Sequence, residues 1–480
     1  MDSLKWGLLV ILVNLINQIL IVPFFLTYFD KEVYSLWLVM VAFILLIRTI
    51  NLGQLNYSSN LINIEYFKGE KVDEFINSAF GANIVLVTLQ LLVGFILSVP
   101  QVFSAISGFE IGFLVNNDFT LIFILLLISR LLNQIFSLFY LRLLEPLNLI
   151  SKRIKYDGIR ELLEVCIIIT AIVVFQDLLP IALAILGYNL VFTGFTYIKV
   201  RENISRINGD IKIEFKQSIA IIKNSTTLFL SFCSDKLYEN GLNIFITALY
   251  NPILLPLFSS TRTMTNLSLK FATVISEPLM PDLQKNYSQK DDVNLINGLK
   301  YYWKLTFLPI YVLLLLLLPI VEFLFNLWTK NKLDFSLDLF LWMYISVYFL
   351  NYSSVLTQFF RRTNFAKQLI GYSVTKTITV IGFLYLLAYL KDLAMAGLAM
   401  FVGEFISCLI LLFQIYRFKG FVFLQKIWYY FFMSTVLSVF AILFLFFKNY
   451  IVFYISSIIV LIYHVWNHFP FKKNLHFNSK

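Results

Sequence analysis

The sequence has few of the residues on which enzyme active sites usually depend. Its 480 residues include three cysteines and three histidines. Cys166, Cys233 and Cys408 stand far apart in apolar surroundings, which offers neither a disulfide framework nor the spacing of a metal site. The histidines lie together near the C-terminal end without partners at catalytic spacing, and there is no Walker A phosphate loop. We therefore predict a protein that is not an enzyme and has no cofactor.

Charge is also scarce. Only 14% of the residues are charged, whereas 59% are hydrophobic, and the mean hydropathy is +0.80. A soluble globular domain of this length would not show such values. The sequence therefore indicates a multi-pass membrane protein. Its formal net charge of +10 suits the anionic headgroups of membrane lipids, and nothing suggests a nucleic acid as partner.

Apolar runs of roughly 20 residues, the length that crosses a bilayer as a helix, recur along the chain. Each run should be helical, because lipid offers no partners for free backbone groups. We predict an all-α polytopic membrane protein with about fourteen transmembrane helices. The predicted spans are 6–27, 33–55, 79–100, 119–141, 161–176, 178–198, 218–249, 256–280, 301–323, 336–358, 369–390, 393–416, 427–447 and 450–469.

The distribution of basic residues sets the orientation of these spans. If the N-terminus is cytoplasmic, most of the 38 Lys and Arg fall on the inner side, and the outer loop 101–118 contains none. One inner loop would carry Lys152, Arg153, Lys155 and Arg160. A miscount by one helix would scramble this alternation, so we predict that both termini are cytoplasmic.

Two connectors resemble each other at an offset of about 220 residues: "EYFKGEKVDEFINSAF" and "KNYSQKDDVNLINGLK". They are either alike by chance, as two amphipathic connectors, or mark a parallel repeat of six spans. The repeat predicts an N-terminal six-helix bundle at 1–216 and a C-terminal one at 217–420. Two additional helices and a cytoplasmic tail would occupy 421–480. A cavity near the midplane, between the bundles, would be lined by polar residues.

One predicted span, "SSTRTMTNLSLKFATVISEPLMP", carries cations inside its apolar frame. Its polar residues occupy an arc of roughly 80° on a helix. Facing lipid, each cation would cost about 2.5 to 3.5 kcal/mol, so this polar stripe should face protein or water. Pairing with acids of neighbouring helices, or snorkelling at the inner end, stays an alternative. The stripe consists of Ser259, Arg262, Asn266, Lys270, Thr273 and Glu277.

Other spans contain further polar candidates for the cavity. Counted together with Arg262 and Lys270, the cations outnumber the acids, and this excess favours an anion such as a phosphate or diphosphate, which guanidinium groups bind through paired hydrogen bonds. The acids could serve coupling to H⁺ or Na⁺; alternatively, Glu404 forms a structural ion pair with Lys376. The cations are Arg48, Arg130 and Lys376, the polar residues Asn14, Gln18 and Gln134, and the acids Asp235, Glu239 and Glu404.

Two segments carry a resemblance to a known family. The segment 48–80, "RTINLGQLNYSSNLINIEYFKGEKVDEFINSAF", is similar to the end of that family's helix 2, with a glycine, small polar residues and a charged connector. The stretch "LPLFSSTRTMTNLSLKFATVISEPLMPDLQ" is similar to its helix 8 with a terminal proline. Over nearly its whole length, the chain resembles the polysaccharide and oligosaccharide-lipid flippases (Wzx-type) of the multidrug/oligosaccharidyl-lipid/polysaccharide exporter superfamily.

The resemblance implies a MATE-like pair of six-helix bundles that alternates its opening between the two sides of a bacterial plasma (inner) membrane. The implied substrate is an undecaprenyl-diphosphate-linked oligosaccharide, a unit of O-antigen, capsule or exopolysaccharide, flipped to the outer leaflet. Polysaccharide polymerase machinery is an implied partner. Basic residues of helices 2 and 8 line the cavity in relatives, and Arg48 and Arg262 hold comparable places. Arg262, Arg48 and Arg130 are therefore expected to bind the diphosphate together. Helix 1 departs from the pattern, because Asn14, Asn17 and Gln18 replace any charge.

Two other functions stay open. A cation-coupled exporter of drugs or small molecules on the same fold should favour carboxylates in its cavity, against the basic excess. A non-transporting membrane scaffold of a polysaccharide assembly complex would use the polar stripe only to join helices.

Overall fold

The computed structural model describes residues 2–68, 70–147, 149–204, 215–363 and 366–468. Within these ranges every regular element is a helix. The predicted all-α fold class is confirmed. Its cause is the apolar composition, since a helix satisfies its own backbone hydrogen bonds where water is absent.

The first part of the chain forms nine α-helices, with one π-helical turn, Asn133–Leu138, between α6 and α7. They are α1 (Asp2–Tyr28), α2 (Lys31–Phe67), α3 (Asp73–Leu97), α4 (Pro100–Ser107), α5 (Ile111–Asn116), α6 (Phe119–Leu132), α7 (Phe139–Arg142), α8 (Ile150–Phe175) and α9 (Leu178–Ile204).

The second part contains a π-helical turn at Leu237–Gly241 and short 3₁₀ turns at Pro252–Leu254 and Ala388–Leu390. Its α-helices are α10 (Phe215–Asn224), α11 (Thr226–Lys236), α12 (Leu242–Leu249), α13 (Leu255–Ser288), α14 (Asp292–Leu317), α15 (Val321–Trp328), α16 (Leu337–Arg362), α17 (Ala366–Leu387), α18 (Ala394–Lys419), α19 (Phe421–Phe447) and α20 (Tyr450–His468).

Nine helices in the described residues are long and apolar enough to cross a membrane, and Ile16–Tyr28 and Tyr450–Ile462 are shorter apolar helices. The chain is therefore a multi-pass membrane protein. Helical residues fill most of each predicted span. The count of fourteen stays a prediction.

Two helices extend well beyond the spans predicted for them. α2 continues to Phe67, although its span was predicted to end at 55. α8 begins at Ile150, so Lys152 and Arg153, expected in a loop, lie on a helix. Apolar length indicates only the part of a helix that lipid covers. Beyond that part the backbone can stay helical, with charged side chains in the aqueous interface.

The chain divides into two compact units. Unit 1 comprises Met1–Thr263, Asn326–Asp334 and Leu384–Leu393; unit 2 comprises Met264–Phe325, Phe335–Phe383 and Ala394–Lys480. The six-helix bundles at 1–216 and 217–420, the two additional helices and tail at 421–480, and the parallel repeat stay predictions.

In unit 1, α2 packs along α3 and α11, α1 along α8, and α6 along α9. At Gly53, α2 comes close to the backbone of α11. A Cβ atom there would lie 2.6 Å from the Cα and backbone N of Phe229. Because those are backbone atoms, one of the two helices would have to move to admit a side chain.

In unit 2, α16 is the central helix, packed against α14, α18 and α19. Its aromatic residues stack with those of α14. The Trp303 and Tyr352 rings are 5.0 Å apart and nearly parallel, and the Trp303 indole N–H donates to the Tyr352 carbonyl at 3.1 Å. These contacts give the indole N–H a hydrogen-bond acceptor inside an apolar core.

Gly53→Ala should lower the stability of the purified protein by about 1 to 3 kcal/mol, because the added methyl group overpacks the α2–α11 contact. Thermal unfolding in detergent measures this. Gly187→Ala on α9 is the matched control: nothing lies within 4 Å of its Cβ position. It should leave stability unchanged or raise it by up to about 1 kcal/mol. Equal unfolding temperatures for the two variants would contradict this packing.

Candidate functional site

A polar cavity of about 340 Å³ lies within unit 1, enclosed by α1, α2, α6 and α8. Its α2 wall includes apolar residues at helical spacing, such as Trp37, Val41 and Ile44. Three guanidinium groups and two carboxylates face one another in it, so the lining carries a net positive charge. The charged residues are Arg48, Arg130, Arg160, Glu161 and Glu164.

Arg130 of α6 is neutralised by Glu164 of α8. Its Nη1 donates to Glu164 Oε2 at 2.9 Å, and its Nη2 contacts Oε1 of the same carboxylate. This bidentate geometry is the strongest that an arginine makes with a carboxylate. Arg130 was predicted to bind substrate, but its hydrogen-bonding edge is already occupied.

Arg160 of α8 is surrounded by weaker partners. Its Nη2 lies 3.6 Å from Glu161 Oε1 and 3.8 Å from Asp157 Oδ1. Its Nη1 donates to Asn133 Oδ1 at 3.3 Å. Because these contacts are long, Arg160 keeps part of its capacity for a stronger acceptor.

Arg48 of α2 shares one feature with Arg160: its Nε is buried and has no hydrogen-bond partner among the described residues. The charges that act on it are repulsive from Arg130 and Arg160 and attractive from Glu164. Two cations and one anion leave a net positive charge around this guanidinium. An added anion would supply both the missing negative charge and a hydrogen-bond acceptor for Nε.

A buried cluster of side-chain amides forms hydrogen bonds with the backbone of α2 at Arg48. Gln90 of α3 donates to the carbonyls of Ile47 and Arg48 at 2.9 and 3.1 Å. Gln134, predicted to be a cavity residue, is buried and donates to Gln90 Oε1 at 3.4 Å. It lies in the π-helical turn 133–138, which directs Asn133 toward Arg160 and Gln134 toward α3. Gln134 therefore supports the cavity wall.

Arg262 of α13 has different neighbours. Its Nη1 donates to the carbonyl of Glu239 at 2.6 Å, and its guanidinium lies 5.7 Å from the Tyr238 ring centre. It is therefore held against the π-helical turn 237–241, and it does not line the cavity described above. The joint grip of Arg48, Arg130 and Arg262 on one ligand stays a prediction.

The rest of the polar stripe on α13 is half-buried. Asn266 and Lys270 are in this class, and the side chains of Thr273 and Glu277 lie outside the described residues. The fully buried polar residues of this helix are others, namely Ser260, Thr261, Thr265 and Ser268.

The predicted acidic pair of the seventh span is not equivalent in the structure. Asp235 is buried on α11, whereas Glu239 is half-exposed and pairs with Lys236. Asp235 is the member of the pair that burial makes suitable for an ion-linked role.

Lys376 and Glu404 form a buried ion pair in unit 2. Lys376 Nζ lies 3.6 Å from Glu404 Oε1, and the Tyr372 hydroxyl donates to Glu404 Oε2 at 3.2 Å. Glu404 is fully buried and Lys376 is 5% exposed. The sequence left two interpretations of Glu404 open, coupling to an ion or a structural ion pair with Lys376. The structure shows the contact that the ion pair requires.

The polar residues of helix 1 differ in their relation to this cavity. Asn17 lines it; Gln18 is exposed, and the side chain of Asn14 lies outside the described residues. Sequence reasoning also missed Glu164. The signal was present, since Arg160 and Glu164 are one helical turn apart, but the span predicted from 161 placed Arg160 in a loop.

Comparisons with known proteins identify a fold. No protein-family profile matches the chain, and no curated protein sequence matches it. Among solved structures, the chain is similar to the lipid II flippase MurJ in an inward closed conformation, with a TM-score of 0.68, 12% identity and coverage of 96% of this chain and 97% of that one.

Multidrug transporters share the same fold. An inward-facing MATE family transporter of the MOP superfamily aligns with a TM-score of 0.58, 13% identity and coverage of 90% and 95%. A MOP superfamily transporter from Pyrococcus furiosus aligns at 0.54, 12% identity and coverage of 89% and 94%. Such identities establish the fold and leave the substrate to be argued from this chain's own residues.

Lys376→Met should destabilise unit 2 by about 3 to 5 kcal/mol, because it leaves Glu404 buried without its counter-charge. The double variant Lys376→Met/Glu404→Met should recover most of this stability, measured by thermal unfolding. If the double variant unfolds as readily as the single one, the ion pair is not the reason for the loss. Lys236→Met, which breaks a half-exposed pair, is the control and should cost less than about 1 kcal/mol.

Proposed function

We propose that the chain is a flippase for an undecaprenyl-diphosphate-linked oligosaccharide, moving it to the outer leaflet of a bacterial plasma membrane by alternating access. The observation that carries the proposal is Arg48, a buried guanidinium whose Nε has no hydrogen-bond partner among the described residues. It lies in a cavity with more arginines than carboxylates. An anionic group supplies the missing counter-charge. The fold shared with a lipid II flippase supports a lipid-linked substrate.

The contacts of the three arginines revise their predicted roles. Arg48 is the principal ligand for the diphosphate. Arg160, held only by long contacts, is the second. Arg130 is paired through Nη1 and Nη2 with Glu164 and holds α6 against α8. A diphosphate suits two separated guanidinium groups, because its two phosphoryl groups can each accept paired hydrogen bonds.

The cation-coupled exporter is the weaker alternative. A cationic drug would have to enter a cavity whose charged lining is net positive, and like charges repel at short range. A scaffold without transport would give no reason to retain a buried arginine without its full set of partners, which costs stability.

The remaining assignments follow from the sequence patterns and the proposed function. Both termini lie in the cytoplasm, and the partner is polysaccharide polymerase machinery. Glu404 is held by Lys376, so Asp235 is the better candidate for coupling to H⁺ or Na⁺.

Arg48→Ala should weaken binding of farnesyl diphosphate, a short polyprenyl diphosphate, to the purified protein by about tenfold or more, since a charged hydrogen-bonding group is lost. Titration of intrinsic fluorescence in detergent measures this. Arg48→Lys keeps the charge but not the planar fork, so its affinity should lie between those of the wild type and Arg48→Ala.

Arg201→Ala, on the exposed end of α9, is the matched control and should bind as the wild type does. Unchanged affinity of Arg48→Ala, or binding of the cationic dye ethidium in preference to the diphosphate, would contradict the proposal. In cells, Arg48→Ala at normal membrane abundance should abolish surface glycan; normal glycan export would favour the scaffold.

A further inference from the structure

The first helix contains a backbone group that it cannot satisfy itself. Pro23 lies inside α1, and proline has no N–H. The carbonyl of Ile19, four residues earlier, therefore lacks its helical donor. In a membrane helix such a carbonyl needs another partner, because lipid cannot provide one.

The end of α15 provides that partner. The indole N–H of Trp328 donates to the Ile19 carbonyl at 2.7 Å. Two residues later, Lys330 Nζ donates to Thr27 Oγ1 at 2.7 Å. Thr27 Oγ1 in turn donates to the Pro23 carbonyl at 2.5 Å. Trp328 and Lys330 thus bind α1 on both sides of its proline.

The segment that carries these donors has an unusual backbone. Lys330 and Asn331 are consecutive non-glycine residues in the left-handed region, with φ of 54° and 56°. Such conformations are costly for residues with a Cβ, and they persist where surrounding contacts enforce them. The Asn331 N–H donates to the Asn326 carbonyl at 2.8 Å and closes the turn. The turn therefore has a defined conformation, which places Trp328 and Lys330 against α1 together.

The position of this segment along the chain relates its contact with α1 to both units. Asn326–Asp334 belongs to unit 1, whereas the residues directly before and after it belong to unit 2. Chain connectivity thus links this part of unit 2 to α1. Asn17, about half a turn before Ile19, lines the arginine cavity. The contacts of Trp328 and Lys330 therefore restrain a helix that forms one wall of that cavity.

We infer that Trp328 and Lys330 form a latch on the proline turn of α1, which restrains α1 and limits access to the arginine cavity until it is released. Its place in a transport cycle rests on the proposed function; the latch itself needs no substrate. Pro23 is an essential part of it, because the proline frees the carbonyl that Trp328 binds.

A double-mutant cycle with Pro23 and Trp328 tests the latch. The protein carries a single cysteine at Asn17→Cys, with Cys166, Cys233 and Cys408 changed to serine, and its rate of reaction with a water-soluble thiol reagent is measured in detergent. Trp328→Phe keeps an aromatic ring but removes the N–H. It should speed labelling about fivefold, the equivalent of one net hydrogen bond.

The same substitution should have little effect after Pro23→Ala. The alanine introduced by that change has an N–H that satisfies the Ile19 carbonyl within the helix, so Trp328→Phe should then change the labelling rate by less than about twofold. Trp303→Phe is the matched control. Its indole also donates to a backbone carbonyl, but in the core of unit 2, and its loss should leave labelling of position 17 unchanged.

An equal effect of Trp328→Phe in both backgrounds would overturn the latch, and so would the absence of an effect in either. The second result is the one expected of a tryptophan that only sits at a membrane interface. Hydrogen exchange of the 17–28 region gives a second readout that retains the native cysteines, with the same expected pattern. Neither readout requires a glycan substrate, so failure of the flippase proposal would leave the result interpretable.

Discussion

A charge inside a bilayer must find its partners within the protein, and this constraint organises the polar interior of both units. Lipid offers neither water nor counter-ions, so an unpaired charge at depth carries a large cost. Each unit meets it with an ion pair, the half-buried Arg130 with Glu164 in one and the buried Lys376 with Glu404 in the other. A cation so paired has little left to offer a ligand. The cations to consider for binding are those with an unpartnered Nε among the described residues, Arg48 and Arg160.

The same constraint applies to backbone carbonyls, and side chains supply the hydrogen-bond donors that these carbonyls need. Where Pro23 removes a donor, the Trp328 indole replaces it. The carbonyls of Ile47 and Arg48 accept from Gln90, at the level of α2 where the cavity arginine projects. Neutral amides and an indole do this at less desolvation cost than charged groups would. Side-chain donors therefore satisfy backbone carbonyls both at the proline of α1 and beside the cavity residue Arg48.

The fold was predictable from sequence because hydropathy is a local property: each apolar run becomes a helix whatever its neighbours are. Helix ends were not, because charged turns such as that around Arg153 continue a helix without adding apolar length. Arg48 and Arg130 were found by their depth within apolar runs. Their different states were not, since only the packed structure brings Glu164 to Arg130 and leaves Arg48 Nε without an acceptor. Arg262 shows the limit most clearly, because the spacing of the polar stripe could not indicate that its guanidinium donates to the Glu239 carbonyl in the π-helical turn 237–241.

The size of the cavity bears on what a flippase of this kind would recognise. About 340 Å³ lies near the lower end of small-ligand sites, which run from roughly 300 to 1,000 Å³. It suits a diphosphate and excludes an oligosaccharide of several sugars. On the proposed function, the arginines would bind the group common to all such lipid-linked glycans, and the sugars would lie outside this cavity.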